Sequence, residues 1–251
     1  MTPKNFVYGS GPLRVELKPL PDRCHAVLHW HIDDANTVQQ QALARALQDY
    51  LRRDKGTVMV DSHRSQQVLD WCLDHGFKAL RLKYLYEKRL DSSGVQLEVF
   101  QFKSLAQLGT ADFLAYMVAA ATDDPEASAL SDPEAEFQEL LAHADSAFDP
   151  HDWFVAFQKD EAVGVVLPQV FADKPSEGTL SYIGVLPAQR GKGLGAKLHL
   201  WGLEQLRQRG VIRYIGSTGS TNHAMQRIFI RNGCTEIAAR HFVGPPVKTS
   251  L

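Results

Sequence analysis

The sequence contains little cysteine, and the three cysteines that it has do not form a motif. Cys24, Cys72 and Cys234 lie far apart in a chain of 251 residues, and their number is odd. Such spacing argues against a disulfide framework and against a zinc site built on paired cysteines. Buried thiols in a reducing compartment are the expected state. We therefore predict a cytoplasmic protein without a bound metal.

Excess charge of one sign and long apolar runs are also missing. The formal net charge is -2, so there is no surplus of cations that would indicate a nucleic-acid partner. The longest apolar run, Phe113 to Ala121, is too short to span a bilayer. The first residues contain no apolar segment typical of a secretory signal. We expect neither nucleic acid nor a membrane as a partner.

One stretch carries the strongest functional signal, and it begins with the apolar run 180–186. Pro187 ends that run, and the following loop has glycine at alternate positions 191, 193 and 195 before a long helix-forming segment. A glycine loop between a strand and a helix presents unpaired backbone N–H groups to an anion. Arg190 and Lys192 add positive charge. The stretch therefore predicts a ligand that bears phosphate.

Two common phosphate-binding motifs fit this loop poorly. A P-loop needs Gly-Lys followed by Ser or Thr, whereas Lys197 lies between Ala196 and Leu198. The degenerate dinucleotide fingerprint Gly-x-Gly-x-x-Ala does match 191–196, but that fold also needs an acidic residue after the next strand. The next predicted strand, 211–217, ends without a carboxylate. A dinucleotide site is therefore the less favoured interpretation.

The loop resembles the acetyl-CoA motif of the GNAT N-acetyltransferase superfamily. Arg190-x-x-Gly193-x-Gly195 follows a predicted strand and precedes a predicted helix, as it does in that motif. Downstream residues have the family's spacing for Asn, a small apolar residue, Tyr and Gly: Asn222, Met225, Phe229 and Gly233. The resemblance covers 95–243 in element order and is specific at 180–234.

A weaker feature is an internal repeat. The order strand, helix, short strand, helix, Gly, strand occurs at 26–90 and again at 180–243. The polar turn at 91–94 is the predicted boundary between a partial GNAT-like module at 1–92, which lacks the glycine loop, and a GNAT domain at 93–251. The resemblance implies an α/β (α+β) fold. Its sheet would be mixed, mostly antiparallel and twisted, with helices on both faces and a smaller N-terminal half-domain.

The resemblance also implies a site for acetyl-CoA as co-substrate, without a metal. Pantetheine would lie where the strands before and after the loop splay apart, bonded to the backbone near Ile183 and Val185. Asn222 and Phe229 complete the implied contacts to this arm. The diphosphate would lie on the loop and its cations, which are Arg190, Gly191, Lys192, Gly193, Leu194, Gly195 and Ala196. A glycine-lined helix start also suits a diphosphate on physical grounds.

Acetyl transfer to an amine needs a deprotonated amine, an oxyanion donor and a proton source for the departing thiolate. The resemblance implies the backbone N–H of Val185 as oxyanion donor. The family's usual proton source is a Tyr at the position of Phe229, and Phe has no proton to give. Tyr182, Ser217 and His223 remain open as acid or base. The thiolate can also leave unaided, because a thiol has a pKa of about 8.5.

The predicted function is acetyl transfer from acetyl-CoA to an amine of a small molecule or peptide. A catalytically silent acyl-CoA-binding module is the alternative, because the usual acid is missing. The helix after the loop is apolar almost all round, which predicts that it packs against the N-terminal module or against a second subunit in a homodimer.

Two polar clusters lie outside the loop. The acidic stretch from Asp123 to Glu136 is interpreted as a solvated, helix-capping connection. In the family that connection borders the acceptor site, so recruitment of a cationic amine is a second interpretation. His29 and His31 share one face of a predicted strand, but no third ligand accompanies them. We interpret them as ordinary strand residues.

Overall fold

The computed structural model of the chain describes residues 5–10, 13–20, 24–33, 35–90, 100–123, 134, 137–138, 140–141 and 148–246. The chain divides into two units, Met1–Tyr84 with Ala238–Leu251, and Leu85–Ile237. The predicted boundary turn at 91–94 lies outside the described residues. The domain limits inferred from the sequence therefore stay a prediction.

The first unit packs two helices on a sheet. Its elements are β1 (Phe6–Ser10), β2 (Leu13–Pro19), β3 (Cys24–His31), α1 (Thr37–Asp54), β4 (Thr57–Asp61), α2 (Ser62–Asp74), residues 78–84 of β5 (Lys78–Arg89) and residues 238–244 of β11 (Thr235–Gly244). The pairs β1–β2, β2–β3 and β4–β11 are antiparallel, and β3–β4 is parallel. The helices bury Leu47 and Val68 against Val15 and Val58 of the strands.

The second unit contains the glycine loop. Its elements are residues 85–89 of β5, then β6 (Gln101–Ser104), α3 (Leu105–Leu108), α4 (Thr110–Ala121), β7 (Phe154–Gln158), β8 (Glu161–Phe171), β9 (Lys174–Val185), a 3₁₀ turn (Pro187–Gln189), α5 (Leu194–Gln208), β10 (Arg213–Gly219), α6 (His223–Arg231) and residues 235–237 of β11. The pairs β6–β7, β7–β8 and β8–β9 are antiparallel, whereas β9–β10 is parallel. The predicted mixed, mostly antiparallel sheet is confirmed.

Helices α4 and α5 pack on opposite faces of β9. A Cβ added to Gly184 would lie 3.0 Å from the Cβ of Ala120 in α4. A Cβ added to Gly195 of α5 would lie 3.4 Å from a methyl group of Val185. Because neighbouring strand residues such as 184 and 185 point to opposite faces, the two helices cover different faces of the strand.

Part of the predicted apolar surface of α5 is covered within its own unit. Leu198 and Leu206 are fully buried. The ring of Trp201 stacks on that of Phe102 with 3.6 Å between centroids, and it meets Phe154 edge-on. These strand aromatics therefore cover the side of the helix that carries Trp201, and packing against the N-terminal module or a second subunit stays a prediction.

Candidate functional site

Strands β9 and β10 pair only near their beginnings. The paired residues are Arg213 with Glu177 and Tyr214 with Gly178. Both strands lie wholly within the described residues, and beyond these pairs neither continues the ladder with the other. The strands therefore separate toward their C-terminal ends. An opening forms between them, beside the glycine loop.

The backbone of β9 offers hydrogen-bonding groups to this opening. The amide of Leu186 donates to the carbonyl of Val163 on β8, and the register places Val185 opposite Gly164. Antiparallel partners alternate between bonded and non-bonded pairs, so the N–H and C=O of Val185 point away from β8. The same alternation applies to Ile183, which lies opposite Val166. Both backbone positions inferred from the sequence therefore face the opening.

The glycine loop leaves the start of α5 open. Gly191 and Gly193 have φ angles of 76° and 72°, a left-handed conformation that favours glycine. A Cβ at either position would meet nothing within 4 Å. Gly193 is the N-cap of α5, and no described side chain caps that helix start. Its first N–H groups are thus suited to an anionic ligand.

Helix α1, at the corresponding place in the internal repeat, begins differently. The side chain of Asn36 accepts a hydrogen bond from the amide of Gln39, and the Gln39 side chain accepts one from the amide of Asn36. This capping box provides hydrogen-bond acceptors for N–H groups at the start of α1. The start of α5 has no such side-chain cap. The contrast gives a physical reason why the N-terminal repeat is not expected to bind an anion.

A cavity of about 450 Å³ lies at the opening. Its walls come from 183–185 of β9, from 189–191 and 193–196 in the loop and α5, from 221–225 and Ile228 around the start of α6, and from Ala120 and Asp123 at the end of α4. This volume is in the range of small-molecule sites, which span about 300–1,000 Å³.

Most of the residues inferred from the sequence come together at this cavity. The predicted cofactor contacts that line it are Ile183, Val185, Arg190, Gly191, Gly193, Leu194, Gly195, Ala196 and Asn222. Of the catalytic candidates, Val185 and His223 line it. Lys192, Phe229, Tyr182 and Ser217 are absent from the lining.

Two of these absent residues point elsewhere for simple reasons. The ammonium of Lys192 is exposed and donates to the Gln189 side chain at 2.9 Å. Ser217 is exposed on β10, whereas its neighbours Gly216 and Thr218 are buried. Alternation along the strand therefore directs Ser217 to the opposite face from these neighbours.

Asn222 acts in this structure as the N-cap of α6. Its side-chain oxygen accepts a hydrogen bond from the amide of Met225 at 3.0 Å. The side chain lines the cavity from that position. The cap thus fixes the orientation of a residue that the sequence assigned to ligand binding, and it aligns the start of α6 with the cavity.

Tyr182 lies beside the cavity wall. A Cβ on Gly184, which lines the cavity, would come within 2.5 Å of the Tyr182 hydroxyl oxygen. The Tyr182 ring is half-buried and packs against the core formed by α4, β7 and β8. Its hydroxyl oxygen is therefore buried behind Gly184, on the α4 side of β9.

Phe229 is a core residue. Its side chain is 1% exposed and stacks on Tyr86 with 4.5 Å between ring centroids. It also meets His199 edge-on at 5.4 Å. The position that usually supplies a proton in the resembled family is here part of an aromatic cluster away from the cavity lining.

A buried polar network next to Phe229 was not predicted from the sequence. The Asn232 amide nitrogen donates to the carbonyl of Ala196 and to Nδ1 of His199, both at 2.9 Å. Because Nδ1 accepts, Nε2 carries the proton and donates to the Tyr214 hydroxyl at 3.3 Å. The network joins the first turn of α5 to the end of α6. His199 was hidden among the apolar residues of its helix.

Burial makes His199 a source of acid sensitivity. Desolvation, helped by the nearby Lys88 ammonium, lowers the pKa of His199 to about 3. An unfolded histidine has a pKa of about 6.5, so between these values the unfolded chain binds a proton that the folded chain does not. Stability contributed by the neutral ring is therefore complete above about pH 6.5 and is lost as the pH falls.

We expect the free energy of unfolding to fall as the pH drops from about 6.5 toward about 3, because in this range only the unfolded chain binds the His199 proton. Urea unfolding at a series of pH values between about 7.5 and about 4 measures this slope. His199→Gln keeps hydrogen-bonding capacity but cannot titrate, so the variant should be less stable at neutral pH and less sensitive to acid. Equal pH slopes in the two proteins would contradict the assignment.

Residues 115–233 match the family described as the acetyltransferase (GNAT) family. The match covers 119 of the 251 residues of the chain. The family resemblance inferred from the loop is confirmed. The match includes the glycine loop, the end of α4 and all of α6, which together wall most of the cavity.

Curated relatives of this chain include two mycothiol acetyltransferases. The protein from Nocardia farcinica is 35% identical over 97 residues, which covers 37% of this chain and 32% of the relative. The protein from Rhodococcus erythropolis is 34% identical over 105 residues, covering 38% of this chain and 34% of the relative. Each alignment thus spans about a third of the relative's length.

Solved GNAT structures resemble most of the chain. The GCN5-related N-acetyltransferase from Sphaerobacter thermophilus has a TM-score of 0.65 at 17% identity, covering 94% of this chain and 79% of that one. A tandem GNAT protein from the clavulanic acid biosynthesis pathway has a TM-score of 0.57 at 14% identity, covering 93% and 80%. At such identities the likeness establishes the fold.

Two further observations concern the described residues. None of their helices combines the length and the apolar character needed to cross a membrane. Their His, Cys, Asp and Glu side chains form no group of three or more placed to hold a metal ion.

Asp123 of the acidic stretch lines the cavity, whereas 124–132 lie outside the described residues. The interpretation of that stretch as an amine-recruiting site stays a prediction.

Proposed function

We propose that the protein transfers an acetyl group from acetyl-CoA to an amine of a small molecule or peptide. The match of residues 115–233 to an acetyltransferase family supports acetyl transfer. The observation that carries the choice of donor is the uncapped start of α5, which opens on a cavity beside two separating strands. Such a helix start suits a diphosphate, and the cavity accommodates an elongated arm.

The diphosphate and the pantetheine arm of acetyl-CoA are assigned to different walls of the cavity. The diphosphate lies at the N–H groups from Gly193 to Ala196, where the helix dipole favours negative charge. The pantetheine arm lies along β9, whose Ile183 and Val185 backbone groups face the opening. Met225 and Ile228 of α6 supply apolar surface for the same arm.

The reaction is attack of a neutral amine on the thioester carbonyl, with loss of the CoA thiolate. The N–H of Val185 is directed to the opening and serves as oxyanion donor. For the proton transfers, His223 has geometric support because it lines the cavity. The Tyr182 hydroxyl oxygen is buried behind Gly184 and has less. Ser217 has none, because it points away from its buried neighbours.

The alternative is an acyl-CoA-binding module without turnover, and burial of Phe229 is the observation that favours it. Thiol release from acetyl-CoA, followed with a panel of amines, separates the two. The panel includes the acceptor used by mycothiol acetyltransferases. We expect release above the amine-free background with at least one member. Saturable acetyl-CoA binding with no amine-dependent release would favour the silent module.

Phe229→Tyr tests whether the family's usual acid can be restored. The ring atoms Cε1 and Cζ lie 2.7 Å and 2.9 Å from the point where a Cβ on Gly216 would be. An added hydroxyl must enter this packed region, so we expect a loss of about 1–3 kcal/mol in stability and no gain in kcat. Urea unfolding and thiol release at saturating acetyl-CoA measure both. A several-fold rise in kcat would show that a tyrosine there does reach the leaving thiolate.

A further inference from the structure

The Arg190 side chain is bonded to backbone carbonyls of its own unit. Its Nε donates to the carbonyl of Val185 at 2.9 Å. Its Nη2 donates to the carbonyls of Ala120 at 3.0 Å and Thr122 at 2.6 Å. A guanidinium group has a rigid, planar set of donors, so bonds to three carbonyls fix its plane. The Nε and Nη2 donors are therefore directed at protein groups and not at a ligand phosphate.

The carbonyls that Arg190 holds lie at one corner of the cavity. Ala120 and Thr122 end α4, where unpaired carbonyls and the helix dipole favour a positive charge. The chain then turns at Asp123, which has a left-handed φ of 57°. Ala120 and Asp123 both line the cavity. Arg190 therefore ties the end of α4 to the end of β9 at the position of Val185.

This corner belongs to the side of β9 opposite the diphosphate site. The methyl groups of Ala120 and Val185 lie on opposite faces of the strand, the first toward α4 and the second toward α5. The donor's diphosphate is assigned to the start of α5. An acceptor amine that reaches the thioester from the α4 side would contact the wall that Arg190 holds.

We propose that Arg190 is a positioning residue for the acceptor side of the site, acting through the end of α4 and not as the cation that binds the diphosphate. The proposal rests on the acetyltransferase function proposed above. It reverses the role that the glycine motif suggested for this side chain. The loop still holds the diphosphate through its backbone N–H groups, and Arg190 sets the wall against which the acceptor is oriented.

Arg190→Lys is the decisive variant because it keeps the charge and loses the planar set of donors. Its effects are measured as the Kd of acetyl-CoA by calorimetry and as kcat and KM for an amine found active with the wild type. We expect the Kd to change less than about threefold. We expect kcat/KM for the amine to fall by about 10–100-fold, as for a reacting group displaced by about 1 Å.

Lys192→Ala is the matched control for charge. It removes a cation from the same loop, but the Lys192 ammonium contacts the Gln189 side chain and does not line the cavity. The variant therefore gives the size of the electrostatic effect on acetyl-CoA binding, which should shrink as salt is added. Amide hydrogen exchange at 119–123 should be faster in Arg190→Lys than in Lys192→Ala.

The outcomes separate this proposal from the proposed function. If the Kd of acetyl-CoA rises more than tenfold in Arg190→Ala and Lys restores it, Arg190 is the diphosphate's cation and the proposal is overturned. If the wild type releases no thiol with any amine, the acetyltransferase function fails. The positioning role of Arg190 is then tested by amide hydrogen exchange in Arg190→Lys. Faster exchange at 119–123 with an unchanged acetyl-CoA Kd supports the role, and unchanged exchange overturns it.

Discussion

Gly193→Asp is expected to reduce acetyl-CoA affinity by more than about 100-fold while the protein remains folded. Gly193 has a φ of 72° and open space where a Cβ would lie. Asp tolerates the left-handed conformation better than most residues, so the strain is small. Its carboxylate would stand at the start of α5 and repel the diphosphate. Two like charges about 4 Å apart repel by about 4 kcal/mol at an effective dielectric constant of about 20.

Gly193→Asn is the matched control, since it has nearly the same shape without the charge. We expect it to weaken acetyl-CoA binding by less than about tenfold, mainly through backbone strain. Calorimetric titrations at low and high salt compare the two variants, and the gap between them should narrow as salt screens the repulsion. Equal affinities of the Gly193→Asp and Gly193→Asn variants would mean that no anionic group binds at this helix start.

Gly164→Ala is expected to cost about 3 kcal/mol of stability and most of the turnover. Gly164 lies opposite Val185 in the β8–β9 ladder. A Cβ there would approach the carbonyl oxygen of Gly184 to 2.3 Å and the Cα of Val185 to 3.2 Å. Backbone atoms cannot swing aside as the tip of a side chain can. The methyl group would therefore displace the end of β9, which forms one wall of the cavity.

Gly210→Ala provides the comparison for Gly164→Ala. Gly210 has a positive φ of 84° but nothing within 4 Å of an added Cβ, so the substitution costs only backbone strain. We expect a loss of about 1 kcal/mol and unchanged thiol release. Urea unfolding and steady-state rates of both variants supply the measurement. If Gly164→Ala is no less stable than Gly210→Ala, the close contact between Gly164 and the end of β9 does not hold that strand in place.

Much of the cavity lining could be predicted because its sequence signals are local. Three alternate glycines after Pro187 mark the loop that lines the cavity, and the short spacing from Asn222 to Gly233 marks the helix beside it. The backbone of Ile183 and Val185 is directed to the opening by strand alternation, which depends only on register. Alternation along β10 also explains why Ser217 is a poor candidate for proton transfer. The sequence does not show which residues of that strand face the core, and the structure does.

The side-chain directions could not be predicted, because distant segments decide them. Arg190 meets carbonyls about 70 residues earlier in the chain, and no local pattern indicates that the end of α4 lies there. His199 is hydrogen-bonded to Asn232, which lies 33 residues away in the sequence. The apolar residues around His199 in its helix give no sign of this contact. The sequence places Phe229 at the position of the family's usual proton source, whereas in the structure its contacts with Tyr86 and His199 make it part of a core.

The pairing of β11 with β4 also could not be predicted from local signals. Strand β11 places residues 240–243 against 58–61 of β4, so C-terminal residues complete the N-terminal unit. A turn of polar residues was the only boundary signal in the sequence. Pairing between strands so far apart depends on the whole fold and leaves no mark at the turn itself.

Titration of the unmodified protein with acetyl-CoA, followed by amide hydrogen exchange, tests whether the glycine loop and the start of α5 bind the acetyl donor. We expect saturable binding with slower exchange at Leu194, Gly195 and Ala196. We expect little change in the first turn of α1, where Asn36 already caps the helix. Absence of saturable binding, or protection confined to residues away from 183–196, would contradict this prediction.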